Sequence, residues 1–531
     1  MRKTLNIYAK GHMAKKLYGT FDWYAQRGVF THPLMKRARG INMKKRRMTA
    51  FFLGVSMCLA AVPASPVSAD YRYNQFDEPV PAQSVYVAEA SYNGKGLGVG
   101  SFNAPSDLYV YDNSLIYILD SGNNRIVVLD DSFQVSRVLE DISVQGEMLD
   151  ITGARGIYVS PAGDIYLSDL KNNRVLVLDG QGRYQKEITR PDSVLLTDNI
   201  TFAPRNVVMD TVGTLYMISE NSTQGAYMID SNGEFLGFYG RNKVDVTASV
   251  VFQALMRELA SEAQRAKMSS FVPVEFSNFD IDEEGFIYTV TAYSDAPKDS
   301  AMIRKLNPLG ENILLSYRDW GDEPDGGKYN TSYVDVAVDD NRFIYALDGN
   351  TGRIFMYDNT GFQVAIFGGS GSVRGTFRSA TAVDTIGNRV VVLDSTKNNV
   401  TVFQQTYFGE QIAEGLSLYN QGMLEESLAY FQEITTMDAN FFYAYYAMAE
   451  IYYDQGEYGL SEEYAKLSGV ATEIYSQSKK ILRNDWLRNH FAGVFFTVIL
   501  AALLVLGSAR VRDAKRKDKM LLALKERRSD L

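Results

Sequence analysis

Between residues 85 and 405 the apolar positions come in short runs rich in Val, Ile, Leu and Tyr, cut at close intervals by Asp, Asn and Gly. Runs of roughly four to eight such residues bounded by turn formers predict β-strands. The runs recur as a unit. PSDLYVYDNSLIYILDSGNNRIVVLD (Pro105–Asp130) returns as ARGIYVSPAGDIYLSDLKNNRVLVLD (Ala154–Asp179) and as PRNVVMDTVGTLYMISENSTQGAYMID (Pro204–Asp230). It returns again as FSNFDIDEEGFIYTVTAYSDAPKDSAMIRKL (Phe276–Leu306), SYVDVAVDDNRFIYALDGNTGRIFMYD (Ser332–Asp358) and SATAVDTIGNRVVVLDSTKNNVTVF (Ser379–Phe403). Each copy predicts three strands, followed by a fourth such as GEFLGFYG (Gly233–Gly240). The central anchors Asp120, Asp169, Glu220, Thr291, Asp348 and Asp394 are spaced by 49, 51, 71, 57 and 46 residues. Six four-stranded units in succession predict a mainly β chain with a six-bladed β-propeller, which manages exposed sheet edges by radial repetition. The sixth copy lacks an outer strand, and Val85 to Ala90 is placed to supply it and close the ring.

After residue 408 the apolar period changes from two to 3.6, and EGLSLYNQGMLEESLAYFQEITTMDAN (Glu414–Asn440) is followed by AEIYYDQGEYGLSEEYAKLSGV (Ala449–Val470). A shift of 34 residues superposes Tyr419 on Tyr453, Gly422 on Gly456, Ser427 on Ser461 and Tyr430 on Tyr464. This helix–turn–helix spacing resembles the tetratricopeptide repeat, whose pairs bind peptides or partner proteins. A rigid spacer is the alternative role. The run Phe491 to Ser508 holds 18 residues without a charge, a candidate transmembrane helix. Arg510, Arg512, Lys515, Arg516, Lys517 and Lys519 follow it at once and read as cytoplasmic. At the front, Lys44-Lys45-Arg46-Arg47 precedes the apolar run Thr49 to Val62 and the small residues Val67-Ser68-Ala69. That order predicts a signal peptide beginning at Met43 and cut before Asp70, with residues 1–42 outside any fold.

DSGNNR (Asp120–Arg125), DLKNNR (Asp169–Arg174) and DGNTGR (Asp348–Arg353) share an Asp and an Arg five residues apart between two apolar strands. In this the chain resembles the NHL-repeat family, whose propellers carry Asp-x-x-Asn-x-Arg in each blade. The third, fourth and sixth units depart from the signature. The pairs Asp120/Arg125, Asp169/Arg174 and Asp348/Arg353 are expected to lock turns as structural ion pairs, since charge-assisted hydrogen bonds suit that task.

The chemistry available is narrow. The only histidines are His12, His32 and His490, so the predicted propeller has neither histidine-ligated zinc nor a histidine general base. The lone cysteine, Cys58, falls in the signal region and excludes a disulfide framework. The net charge of −9 conceals a span from 70 to 490 with 32 basic and 58 acidic residues, which repels nucleic acid and anionic lipid. Aligned on their anchors, the units place Asp107, Gly156, Asn206, Asn278, Asp335 and Ala380 at the start of the innermost strand, near the axis. Four of these are Asp or Asn, and hard oxygen donors of that kind suit Ca²⁺ as the candidate cofactor. The ring Asp107, Asn206, Asn278 and Asp335 resembles the axial metal site of gluconolactonase and paraoxonase propellers. That resemblance implies a cation polarising a lactone or ester carbonyl.

The expected organisation is a non-native extension (1–42), a signal peptide (43–69), an NHL-type propeller (70–405), a tetratricopeptide-like helical domain (408–487), one transmembrane helix (491–508) and a basic cytoplasmic tail (509–531). A helical insertion at 246–267 is expected to pack across a propeller face, with partner docking or a lid as alternatives. The reading is a single-pass cell-membrane protein, mostly extracytoplasmic and not clearly an enzyme. Its propeller would recognise a protein, small-molecule or carbohydrate ligand, and its helical repeats would dock a protein partner. The alternative is a divalent-metal-dependent lactonase or esterase.

Overall fold

The computed structural model describes residues 70–197, 200–222, 224–240, 275–292, 302–315, 321–322 and 331–529. The signal peptide, the N-terminal extension and the insertion at 246–267 lie outside these residues. The described chain divides into two units, one ending at Ser417 and one beginning at Leu418.

The first unit is a six-bladed β-propeller. Blades one, two and three are four-stranded antiparallel meanders built from Asp107–Leu139, Ala154–Ile188 and Pro204–Tyr239. Blade four shows three strands among the described residues, Asn278–Ile281, Ile287–Val290 and Ile303–Leu306. Middle strands such as Ile165–Asp169 and Ile344–Asp348 are buried at every position. That explains their unbroken apolar runs: a blade wedged between two others has no solvent face, so strict alternation is lost. Buried side chains such as Ile157, Leu167 and Leu176 from blade two pack with Leu119, Ile126 and Val128 from blade one.

Ring closure follows the expectation and extends it. Tyr86–Asn93 pairs antiparallel with Asn399–Gln405, with Ala90 opposite Val402, so the N-terminal strand completes blade six. A second N-terminal hairpin, Tyr71–Tyr73 with Pro79–Pro81, joins the outer edge of blade five, making a six-stranded sheet.

Hairpins at one end of the blades open on Asp or Asn, the residues whose side chains imitate a backbone turn. Asp130, Asp179, Asp210, Asp230, Asp282, Asn307 and Asp358 each accept backbone N–H bonds from the second and fourth residues on. Asn113 of blade one donates to Asp340 of blade five at 2.7 Å and accepts from the Gly387 N–H of blade six. The turns between first and second strands therefore meet on one face.

The helices are α1 (Tyr407–Asn420), α2 (Leu424–Met437), α3 (Phe442–Asp454), α4 (Tyr458–Ser468) and α5 (Thr472–Ser529). Gly422 and Gly456 take φ of 81° and 80° between α1 and α2 and between α3 and α4, a left-handed turn that favours glycine. Ser427 and Ser461 are fully buried, and Ser461 donates to the Ala449 carbonyl at 2.8 Å, which lets α4 approach α3 closely. α5 runs 58 residues, about 87 Å at 1.5 Å per residue. It is the one helix among the described residues long and apolar enough to cross a membrane, and its apolar window is unburied.

Candidate functional site

The innermost strands surround a narrow axial cavity of about 30 Å³, lined among others by Asp107, Asn206, Asn278, Asp280, Asp335 and Asp384. The strand register shows why these side chains meet. Asp107, Gly156, Asn206, Asn278 and Asp335 each lie opposite the residue just before the blade's anchor position. In blade six that place belongs to Ala382, opposite Leu393, because this blade's first hairpin, turning between Ile386 and Arg389, is one residue shorter than those of the other blades. The expected Ala380 is thus one step outside the ring. In blade three Pro204 lies opposite Ser219 as Ala154 lies opposite Asp169 in blade two, so Ser219, not Glu220, is the anchor. Ser219 does the anchor's work with a hydroxyl, accepting from the Ala203 N–H at 2.9 Å and donating to the Thr201 carbonyl at 2.6 Å.

The oxygens of the ring are turned to the backbone. Asp107 accepts its own neighbour's N–H, from Leu108 at 2.9 Å, and the Ile157 N–H of the next blade at 2.8 Å. Asp335 accepts the Val383 N–H of blade six at 2.6 Å. Between them Asn206 donates to Asn278, and Asn278 donates to Asp335, while their own carbonyls accept from Val207 and Phe279. Gly156 breaks the ring for a steric reason: a Cβ there would lie 2.5 Å from the Arg205 carbonyl and 3.1 Å from Asn206 Oδ1. Asp107 is therefore set apart from the Asn–Asn–Asp chain.

A second tier lies two residues further along the same strands. Asp280 accepts from Ile281 at 2.8 Å and from Val338 of blade five at 2.8 Å. Asp384 accepts from Thr385 at 2.7 Å and from Val110 of blade one at 2.6 Å. The rule is the same in both tiers, since each carboxylate ties its own strand to the next blade. Sequence reasoning missed Asp280 and Asp384, although the period-two spacings Asn278-x-Asp280 and Ala382-x-Asp384 carried the signal.

Burial raises the pKa values of these carboxyls against the pull of the backbone hydrogen bonds. Asp107 is pushed up to about 7 and Asp280 to about 6 by desolvation. Asp335 and Asp384 are raised well above the usual carboxylate range, by desolvation first and then by the charges of Asp107 and Asp280 respectively. Tyr109 and Tyr158 meet edge to face at 5.1 Å in the cavity wall, and the Tyr158 hydroxyl donates to the Met209 carbonyl at 3.2 Å.

Does this donor set fit Ca²⁺? A calcium site needs roughly six to eight oxygens converging on one point. Here the oxygens point along the strands at amide hydrogens, and Asn206 and Asn278 are engaged with each other. Among the described residues no group of three or more His, Cys, Asp or Glu is placed to hold a metal ion. The ring does not fit the cation. A cavity of about 30 Å³ has room for about one water, far below the roughly 300–1,000 Å³ of a small-molecule pocket.

The NHL-like pairs have a different setting. Arg125 Nε donates to Asp120 at 2.8 Å, and Arg174 Nε donates to Asp169 at 2.9 Å, with both carboxylates fully buried. Asp120 also accepts the Asn103 N–H at 2.8 Å, fixing the loop that enters its own blade. The expected pair Asp348/Arg353 is not made. Arg353 pairs with Asp322, over which Tyr71 and Tyr73 of the N-terminal hairpin also close with their hydroxyls. Asp348 instead accepts from the Ser332 and Asn350 N–H groups and from the Thr351 hydroxyl. The hairpin added to blade five covers this pair, with the Tyr71 ring centroid 5.0 Å from the Arg353 guanidinium carbon.

No family model matches the chain, and no curated protein matches it. Among solved structures it is similar to a streptogramin B lyase, at 13% identity over 56% of this chain and 78% of that one, with a TM-score of 0.34. It is similar to a virginiamycin B lyase from Staphylococcus aureus at 10% identity over 60% of this chain and all of that one, with a TM-score of 0.38. A Bacteroides thetaiotaomicron protein of unknown function is similar at 11% identity over 57% of this chain and 70% of that one, with a TM-score of 0.37. Likenesses this faint carry no inference about activity.

Proposed function

We propose that the chain is a membrane-anchored, extracytoplasmic binding or scaffold protein. On this reading the NHL-type propeller recognises a ligand or protein, the tetratricopeptide-like hairpins dock a partner, and the apolar stretch of α5 tethers both. One observation carries it: the axial Asp and Asn residues, the candidates for chemistry, spend their oxygens holding adjacent blades together around space for about one water. A lactone or ester has no place to enter, so recognition falls to the outer surfaces.

The test is calorimetric titration of the purified chain with Ca²⁺, beside an assay of ester and lactone hydrolysis. A heatless trace and no turnover are expected. Saturable calcium heat that disappears in Asp335→Asn, accompanied by calcium-dependent hydrolysis, would overturn the reading.

A further inference from the structure

The helical unit has an unusual surface chemistry. From 418 to 470 it carries nine acidic residues, nine tyrosines and a single cation, Lys466. Three of the tyrosines form a stack. Tyr464 of α4 lies between Tyr445 and Tyr452 of α3, with ring centroids 6.4 and 5.4 Å away and planes within 18° and 11° of parallel. Tyr445 and Tyr452 sit seven residues apart, two helical turns, so they share a face of α3. All three rings are half-buried, and the exposed Gln432 of α2 donates to the Tyr452 hydroxyl at 3.1 Å.

Carboxylates flank the stack. Burial, and after it the charge of Asp438, raises the Tyr445 hydroxyl above its ordinary value. The Tyr464 hydroxyl is raised by burial, then by Tyr452 and the exposed Glu463.

An aromatic face bordered by carboxylates matches one side chain better than any other. A guanidinium is planar, stacks flat on aromatic rings and donates paired hydrogen bonds to carboxylates, whereas an ammonium meets rings and carboxylates only as a compact point charge. We propose that the Tyr445–Tyr464–Tyr452 stack with the exposed Glu463 is a docking site for an arginine-bearing polypeptide segment of a partner protein. This deepens the partner-docking role assigned above to the helical hairpins and rests on it. The charge complementarity selects a basic occupant, and the stacked rings select arginine over lysine.

The test uses the full-length chain in nanodiscs of zwitterionic lipid and three fluorescent peptides of four Gly-Xaa repeats, with Xaa arginine, lysine or citrulline. By anisotropy, the arginine peptide is expected to bind roughly threefold to tenfold more tightly than the lysine peptide, the ratio that a partly exposed cation–π contact supplies. The citrulline peptide, which keeps the shape and loses the charge, is expected not to bind. Glu463→Gln, on an exposed side chain that folding does not need, should weaken the arginine peptide. Tyr464→Ala should bring arginine down to lysine, and Tyr464→Phe should preserve the preference. Equal binding of the arginine and lysine peptides, or indifference to all three substitutions, would overturn the site. A photo-cross-linker at position 452 in native membranes separates the two levels of the argument. A contacted partner segment without arginine overturns the arginine assignment and leaves docking intact. Partner cross-links found only on the propeller overturn docking by the helical hairpins as well.

Discussion

Each axial carboxylate accepts amide hydrogens from two blades, and each is desolvated strongly enough to keep its proton past the usual range. The sign of the consequence is definite. In the unfolded chain these groups titrate near about 3.9. In the fold Asp107 and Asp280 hold their protons to about 7 and about 6. The native state therefore binds more protons than the unfolded state across roughly pH 4 to 7, and the stability these groups contribute falls as pH rises through that window. The melting temperature of the propeller should be higher at pH 5 than at pH 8, and the infrared band of a protonated carboxylic acid should persist in the folded chain at pH 6. A melting temperature that rises steadily from pH 5 to 8 would contradict the account. At this scale the sequence was half informative. It exposed Asp107, Asn206, Asn278 and Asp335 as a set, because they repeat at one place in the unit. It misplaced blade six's ring residue, because that blade's first hairpin is one residue shorter, and blade three's anchor, because a serine stands where the other blades suggested an acid.

Among the elements, Tyr86–Asn93 closes the ring. It is the outer strand of blade six, and its loss would leave the ring joined there only by what the inner strands of blades six and one share. Replacing 86–93 by a Gly/Ser stretch of equal length should destabilise the propeller by several kcal/mol, on the order of a lost edge strand's buried side chains. Circular dichroism would read this as a β-transition at much lower temperature with the helical signal retained, since distinct units open separately. An unchanged β-transition would show that the ring does not depend on this strand. Closure by this strand was legible because copy six ran out of strands while an unassigned β-run waited near residue 85. The hairpin on blade five was not legible. Tyr71–Tyr73 and Pro79–Pro81 are three residues each, too short for a pattern, and their docking depends on Asp322 and Arg353, which are distant in sequence.

For the whole molecule the decisive element is α5, whose apolar stretch is covered by nothing in the structure. Such a surface is stable in lipid and costly in water at roughly 25 cal/mol per Å². The full chain should stay with the membrane pellet after alkaline carbonate extraction, and a variant lacking 491–508 should move to the supernatant. Release of the full chain would remove the anchor from the proposal. Much of the overall plan is a property of sequence alone. Repeated short apolar runs with Asp/Gly turns specify blades, a 3.6 period specifies helices, and an uncharged run of 18 specifies a membrane-compatible stretch, because all three are local periodicities of a regular backbone. Only the tertiary structure decided what the repeated polar residues do. Whether Asp335 faces a cation or the Val383 amide, and whether Arg353 holds Asp348 or Asp322, depends on which group from another part of the chain the fold places within hydrogen-bond reach. Such contacts join residues tens of positions apart, and no pattern along the chain records them.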